Sequence, residues 1–225
     1  HIKAFTAVEI DYLAKLSGLG VKDTLLALRE AGLGSLPGGG AEIFNPGVRN
    51  TLCAEKISGE RWLEVMETAH GIGLKSNATM LYGHIETVED RVDHLLRLRE
   101  LQDRTGGFQA FIPLSFHSQN TEITKSAYTT GFDDLKTLAV SRLLLDNFDH
   151  IKAYWVMLGE KITQVSLSFG VDDIDGTVVE ERITKMAGGT TDGSMTREDL
   201  VDLIKQAGKT PVERDTVYNT VRVWG

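Results

Sequence analysis

The chain reads as an α/β protein on a parallel sheet, and three observations predict it. Strand-like and helix-like segments alternate along its 225 residues. Strand candidates begin at residues 2, 35, 74, 108, 150 and 164, and most gaps hold one strand, one helix and loops. Apolar residues make up 41% and charged residues 25%, the balance of a globular chain rather than a disordered or collagen-like one. Six such strands suffice for an open parallel sheet or three-quarters of a (β/α)8 barrel. An α/β barrel can hold about 250 residues in one piece, so one domain is the simplest account, with residues after about 188 as an appendage. A chain this long buries about 70% of its unfolded surface and needs no disulfide or zinc to hold a core.

Each element has its own signal. Ile2–Ile10 is apolar and β-rich, and helical periodicity follows over Asp11–Leu16 and Lys22–Ala31, with Gly32 as the stop. Ser35–Phe44 reads as a short strand running into a triple-glycine turn. Ser58 is a plausible N-cap for a helix whose Trp62, Val65, Met66 and Ala69 recur at helical spacing, ended by Gly71 and Gly73. Leu74–Tyr82 is a strand. Thr87 with Asp90 resembles a capping box for a helix with Val88, Val92, Leu95, Leu96, Leu98 and Leu101 on its face, stopped at Gly106-Gly107. Phe108–Ser115 is a strand, Gln119–Thr130 a polar loop, Phe132–Asn147 a helix, His150–Met157 a strand and Gln164–Phe169 another. Thr177–Ala187 and Thr196–Ala207 are helices, the second opening on a box-like Thr196 and Asp199.

Charge and cysteine usage exclude several roles. With 24 basic against 32 acidic residues the net charge is −8, which opposes a phosphate backbone, so nucleic acid is not the expected partner. No apolar run reaches membrane-spanning length and no signal peptide is visible. The single cysteine, Cys53, excludes an internal disulfide and a Cys-rich metal cluster within the chain, and fits a reducing, cytoplasmic compartment. The chain opens without Met inside an apolar stretch, His1-Ile2-Lys3-Ala4-Phe5, which predicts a fragment or processed piece.

In parallel βα architectures ligands sit at the carboxyl ends of the strands, so polar residues there are the candidates. Glu9 closes the first end, as a ligand acceptor or as a first-turn acid favoured by the helix dipole. The second reads Pro37-Gly38-Gly39-Gly40-Ala41-Glu42. Three glycines cost backbone entropy and suit a close approach, and Glu42 would point into the same space. No Lys-Ser/Thr follows, so this is not a phosphate loop. Thr79, Tyr82, Gly83, His84 and Glu86 gather at the third end. His84 is either a proton carrier or a hydrogen-bond partner of a nearby loop, and Glu86 competes as a cap. His117 follows the fourth strand. Tyr154 and Trp155 of the fifth read as barrel filling. Asp172, Asp173 and Asp175 crowd the sixth end as a helix start, a hydroxyl acceptor or, ranked last, a divalent-metal loop. A lyase or aldolase of ordinary type would place a lysine at a strand end. Lys3 and Lys75 lie near strand starts instead.

The strand ends carry a family resemblance. The runs His1-Ile2-Lys3-Ala4-Phe5-Thr6-Ala7-Val8-Glu9-Ile10, Leu36-Pro37-Gly38-Gly39-Gly40-Ala41-Glu42-Ile43-Phe44, Ala78-Thr79-Met80-Leu81-Tyr82-Gly83-His84-Ile85-Glu86-Thr87, Gly106-Gly107-Phe108-Gln109-Ala110-Phe111-Ile112-Pro113, Asp172-Asp173-Ile174-Asp175-Gly176-Thr177-Val178 and Glu213-Arg214-Asp215-Thr216 span nearly the whole chain. They resemble the radical S-adenosylmethionine (SAM) enzymes of the futalosine route to menaquinone. Phe44-Asn45-Pro46-Gly47-Val48-Arg49-Asn50 and Leu114-Ser115-Phe116-His117 look more like the aminofutalosine branch than the branches that make cyclic dehypoxanthine futalosine or deazaflavin.

What the resemblance implies is a partial (β/α) TIM-like barrel of the radical SAM type, about six parallel strands with outer helices, over residues 1–187, and a helical extension over 188–225 packed on it. It implies an enzyme that adds a 5′-deoxyadenosyl radical to 3-[(1-carboxyvinyl)oxy]benzoate with loss of carbon dioxide. The family's cofactors would be SAM and a [4Fe-4S] cluster, with a flavodoxin or ferredoxin as electron donor. The cluster needs a CxxxCxxC segment that this chain lacks, so the chain alone is expected to be inactive. Carried over by position, Glu9, Gly38, Gly39, Gly40, Glu42, Thr79, Tyr82, Gly83 and Glu86 would face SAM. His84, His117 and Arg214 would meet substrate carboxylates or move protons, an Arg suiting a carboxylate through its planar fork. The alternatives are a sister radical SAM enzyme or a non-catalytic scaffold half of a split protein.

Overall fold

The structure is a computed structural model that describes residues 1–118, 123, 129–177, 186 and 194–225. Six strands form one sheet in chain order: β1 (Ile2–Lys3), β2 (Leu33–Leu36), β3 (Lys75–Tyr82), β4 (Phe108–Ser115), β5 (His150–Ala153) and β6 (Asp173–Ile174). β1 with β2, β2 with β3, and β5 with β6 pair in parallel. Between them run α1 (Ala7–Ser17), α2 (Val21–Glu30), α3 (Pro46–Leu52), α4 (Gly59–Gly71), α5 (Val88–Thr105), α6 (Gly131–Leu144), α7 (Trp155–Leu158) and α8 (Glu160–Ser166). This is the partial TIM-like barrel expected from the sequence. After it come α9 (Arg197–Gln206) and an antiparallel hairpin of β7 (Val212–Arg214) and β8 (Thr220–Val223). Among the described residues no helix is long and apolar enough to cross a membrane.

The chain divides into two compact units. The first comprises His1–Met80, Glu86–Phe111 and Leu144–Asp149. Its core is aromatic. Phe44 stacks on His94 at 3.9 Å, Trp62 on Phe108 at 6.3 Å, and Phe108 on Phe148 at 5.2 Å. Side chains of this size stabilise by roughly 1.5–3 kcal/mol each when fully buried. The helix stops and starts follow the sequence. Ser58 caps α4 by accepting from the Arg61 amide, and Trp62, Val65, Met66 and Ala69 are fully buried. Thr87 and Asp90 form a reciprocal capping box on α5. The buried face of α5 is His94, Leu95, Leu98, Leu101 and Gln102. Val88 and Leu96, which the pattern assigned to it, are 61% and 42% exposed.

Two strands in this unit are shorter than the sequence suggests. β1 ends at Lys3, because Phe5 takes a left-handed φ of 61° and Thr6 with Glu9 builds a capping box that starts α1. The apolar residues Ala7, Ile10 and Ala14 then serve a helix face, not a strand. β2 ends at Leu36, since Pro37 lacks a ladder donor and Gly38 turns the chain at φ 83°.

The second unit comprises Leu81–Ile85, Ile112–Leu143 and His150–Gly225. The segment Gln164–Phe169, expected as the sixth strand, lies at the end of α8 and the turn after it. Its apolar alternation is misleading: Thr163 and Ser166 are buried while Val165 and Phe169 are 44% and 42% exposed. The sixth strand is β6, two residues long, in register Lys152↔Asp173 and Ala153↔Ile174. β5 stops at Ala153, and Tyr154 takes the N-cap position of the short α7 without a side-chain capping bond. Thr196 and Asp199 form the expected capping box on α9, and the hairpin beyond it adds two strands to a tail expected to be helical. The helix expected over 177–187, the 119–130 loop and the boundary at 187/188 lie largely outside the described residues.

Candidate functional site

In the first unit the β2 rim lies against the start of α1. A Cβ on Gly38 would come within 2.1 Å of the Asn77 carbonyl oxygen, and one on Gly40 within 2.6 Å of Val8 Cγ2. The turn therefore needs glycine to clear its own neighbours. Thr79 Oγ1 donates to the Gly38 carbonyl at 2.9 Å, and Trp62 Nε1 donates to the Gly39 carbonyl at 3.0 Å. Buried Arg49 donates to the carbonyls of Gly40, Ala41, Ile43 and Ile57. Glu42 follows at a left-handed φ of 46° and accepts from Lys56 Nζ at 2.8 Å. Burial works to lower the Lys56 ammonium, but the Glu42 carboxylate holds it above its ordinary value. Glu9 accepts from the Thr6 amide and hydroxyl at 2.7 and 2.9 Å, which is a capping duty. Glu86 is a buried partner of Arg91, 2.6 Å away.

In the second unit Tyr82, Gly83, His84, Phe116, His117 and Asp134 come together beyond the ends of β3 and β4. The Phe116 amide donates to the Tyr82 carbonyl at 2.8 Å, and the Tyr82 hydroxyl to Asp134 Oδ1 at 2.6 Å. Burial pushes the Asp134 carboxyl above its ordinary range against that hydrogen bond and the nearby charge of His117. A Cβ on Gly83, whose φ is 87°, would meet Thr129 Cγ2 at 2.2 Å. The His84 ring is held by its own turn. The Ile85 amide donates to Nδ1 at 2.7 Å, so Nε2 carries the proton and donates to the Leu81 carbonyl at 2.9 Å. His84 also packs edge-on against Phe116 at 5.9 Å. His117 Nε2 is buried with no hydrogen-bond partner among the described residues.

Arg214 lies elsewhere in this unit, with the residues of β5 and β6. Its Nε and Nη2 donate to the two oxygens of Asp173 at 2.9 and 2.7 Å, and the Tyr218 hydroxyl donates to Oδ2 at 2.7 Å. Its fork, assigned to a substrate carboxylate by resemblance, is thus filled by Asp173. Burial, then the Asp173 charge, pushes the Tyr218 hydroxyl far above its ordinary value. Asp172 accepts from His150 Nδ1 at 2.7 Å and from Arg142 Nη2 at 2.8 Å. Burial opposes, yet the His150 and Ile151 hydrogen bonds hold the Asp172 carboxyl below the usual range. Lys152 lies between Asp173 and Asp175, 3.5 and 3.1 Å away. The three aspartates thus face cations of the protein, and among the described residues no cluster of three His, Cys, Asp or Glu is arranged to hold a metal ion. Beside β6, a cavity of 830 Å³ is lined by Asp173, Arg197, Glu213, Arg214 and Trp224, among others.

Sequence reasoning missed Arg49, Lys56, Asp134, Lys152 and Tyr218. Only the first two carried any signal, a basic residue on either side of Cys53 shortly after the glycine turn. The donor set does not fit an iron–sulfur cluster. One thiol is present where such clusters use several cysteine thiolates, and burial pushes it up, away from the thiolate form.

Comparison with known proteins bears on the fold and the family. Methylornithine synthase (PylB) superposes with a TM-score of 0.63 at 17% identity, over 85% of this chain and 56% of that one, which shows the fold. Aminodeoxyfutalosine synthase of Thermus thermophilus is 53% identical over all of this chain and 61% of its own length. The protein of that name from Streptomyces coelicolor is 48% identical over 98% of this chain and 60% of its own. A 5-amino-6-(D-ribitylamino)uracil–L-tyrosine 4-hydroxyphenyl transferase of Archaeoglobus fulgidus is 43% identical over 97% of this chain and 64% of its own. The chain thus spans about three-fifths of the length of these relatives. Residues 105–224 match the model of the CofH/MqnC C-terminal region, and the chain belongs to that family.

Proposed function

We propose that this chain is the strand-rim portion of an aminofutalosine synthase, a radical SAM enzyme that joins an adenosyl group to an enolpyruvyl benzoate. The observation that carries the reading is 53% identity to an aminodeoxyfutalosine synthase across the full chain. In this reading SAM supplies the adenosyl radical and a [4Fe-4S] cluster supplies the electron, with ligands from outside this chain. The residues here bind and orient. Glu42, fixed by Lys56 at the end of the glycine turn, would accept from a ribose hydroxyl. Thr79 and Glu86 in the first unit, and Tyr82 in the second, hold their strand ends through bonds to the protein itself, Gly83 gives the turn after Tyr82 its left-handed φ, and Glu9 caps α1. His117, whose buried Nε2 has no partner among the described residues, is a better candidate than His84 for contact with a substrate oxygen.

The test is anaerobic iron–sulfide reconstitution of the intact protein, then assay with SAM, a flavodoxin or ferredoxin, and the enolpyruvyl benzoate. Aminofutalosine is the expected product. Its absence with the cluster present overturns the reading. The second reading is the sister transferase chemistry, favoured by the 43% identity of the Archaeoglobus relative. It predicts product only from a diaminouracil and tyrosine. The non-catalytic scaffold reading predicts neither.

A further inference from the structure

Lys152 is the penultimate residue of β5, only 6% exposed, and stands opposite Asp173 in the parallel register. Strand alternation puts fully buried Ile151 and Ala153 on one face and His150 with Lys152 on the other. On that second face its ammonium nitrogen is 3.1 Å from Asp175 Oδ1 and 3.5 Å from Asp173 Oδ2. The two carboxylates differ in what holds them. Asp173 is held by the Arg214 fork and the Tyr218 hydroxyl, while Asp175 follows the last residue of β6 and its side chain is 30% exposed. One anion is fixed and the other is replaceable.

A buried ammonium must keep an anionic partner, and swapping one carboxylate for another preserves the pairing. Ligands of parallel βα sheets bind beyond the carboxyl ends of the strands, where Lys152 lies. We infer that Lys152 binds a carboxylate of the substrate, displacing Asp175. This rests on the proposed substrate, an aromatic diacid. Its acid groups call for a cation, and Arg214 is already engaged by Asp173. Lys152 is then a substrate-binding residue and Asp175 its place-holder in the ligand-free state.

The experiment is calorimetric titration of the intact protein with the enolpyruvyl benzoate and with its diamide, in which neither acid group is charged. Lys152→Met is expected to weaken the diacid by about thirtyfold or more while leaving the diamide unchanged, the scale of breaking a buried charge pair. Lys152→Arg should recover part of the loss. Asp175→Asn, which removes the competing anion, should tighten the diacid severalfold, and no general loss of fold gives that sign. If Lys152→Met does not fold, Asp175→Asn decides alone, and unchanged or weaker diacid binding by it overturns the assignment. Equal diacid binding by wild type and Lys152→Met, or equal loss of both ligands, also overturns it and leaves the functional reading standing. Failure of wild type to bind the diacid overturns the substrate reading and this inference together.

Discussion

Arg214 grips Asp173 at both carboxylate oxygens and stacks over the Tyr218 ring at 4.0 Å, so one guanidinium ties the C-terminal hairpin to β6. His150 lies parallel to the same tyrosine ring at 4.2 Å. Arg214→Ala leaves a carboxylate that is 8% exposed without its fork. We expect a loss of about 3 kcal/mol, the scale for removing one partner of a buried pair, seen in urea denaturation and in faster proteolysis after residue 208. Unchanged stability would mean that the hairpin holds by other contacts.

Tyr82→Phe removes the hydroxyl that donates to Asp134 Oδ1 and leaves that buried carboxyl less satisfied, with the Thr129 hydrogen bond still in place. The expected cost is about 1–2 kcal/mol. The Asp134 carboxyl, already raised by burial, should rise further, which carboxylate-resolved NMR titration would follow.

Gly38→Ala should fail on two counts, a φ of 83° and a Cβ 2.1 Å from the Asn77 carbonyl oxygen. A loss of at least about 1 kcal/mol in thermal denaturation is expected. Gly71→Ala, in open space at the end of α4, should change little.

His70 and His94 predict an acid-side loss of stability. Burial, then the Lys75 charge, lowers His70 from 6.5 to about 4, and burial lowers His94 from 6.5 to about 3. Between these values the unfolded chain binds protons that the folded chain refuses, so unfolding free energy rises with pH through this window. Their contribution is complete above 6.5 and is lost as pH falls toward 4 and then 3. His70→Gln should flatten that dependence between about pH 4 and 6.5, where both histidines contribute, in denaturant titrations over this range. An unchanged slope would show that His70 titrates normally.

Five of the six strands were legible: β2, β3 and β4 each follow a glycine stop, as Leu74–Tyr82 follows Gly73, and β1 and β5 show as apolar, β-rich runs beside helical ones. The sixth was not. β6 has two residues, too few for a pattern, while Val165, Leu167 and Phe169 imitate a strand inside a helix and its turn. At the rims the sequence marked the polar residues but not their partners. Glu86 pairs with Arg91 and Glu9 with Thr6, which short-range spacing could suggest. Arg214 with Asp173 and Tyr82 with Asp134 join residues 41 and 52 positions apart, and only the folded chain reveals such pairs.

Arg49 has a consequence for adaptation. A single planar cation laces four peptide oxygens from both sides of α3, so the crossover between Gly40 and Ile57 is braced like a keystone. This ledge is set before anything meets it, and a lysine, with no fork to span those oxygens, could not stand in for the brace.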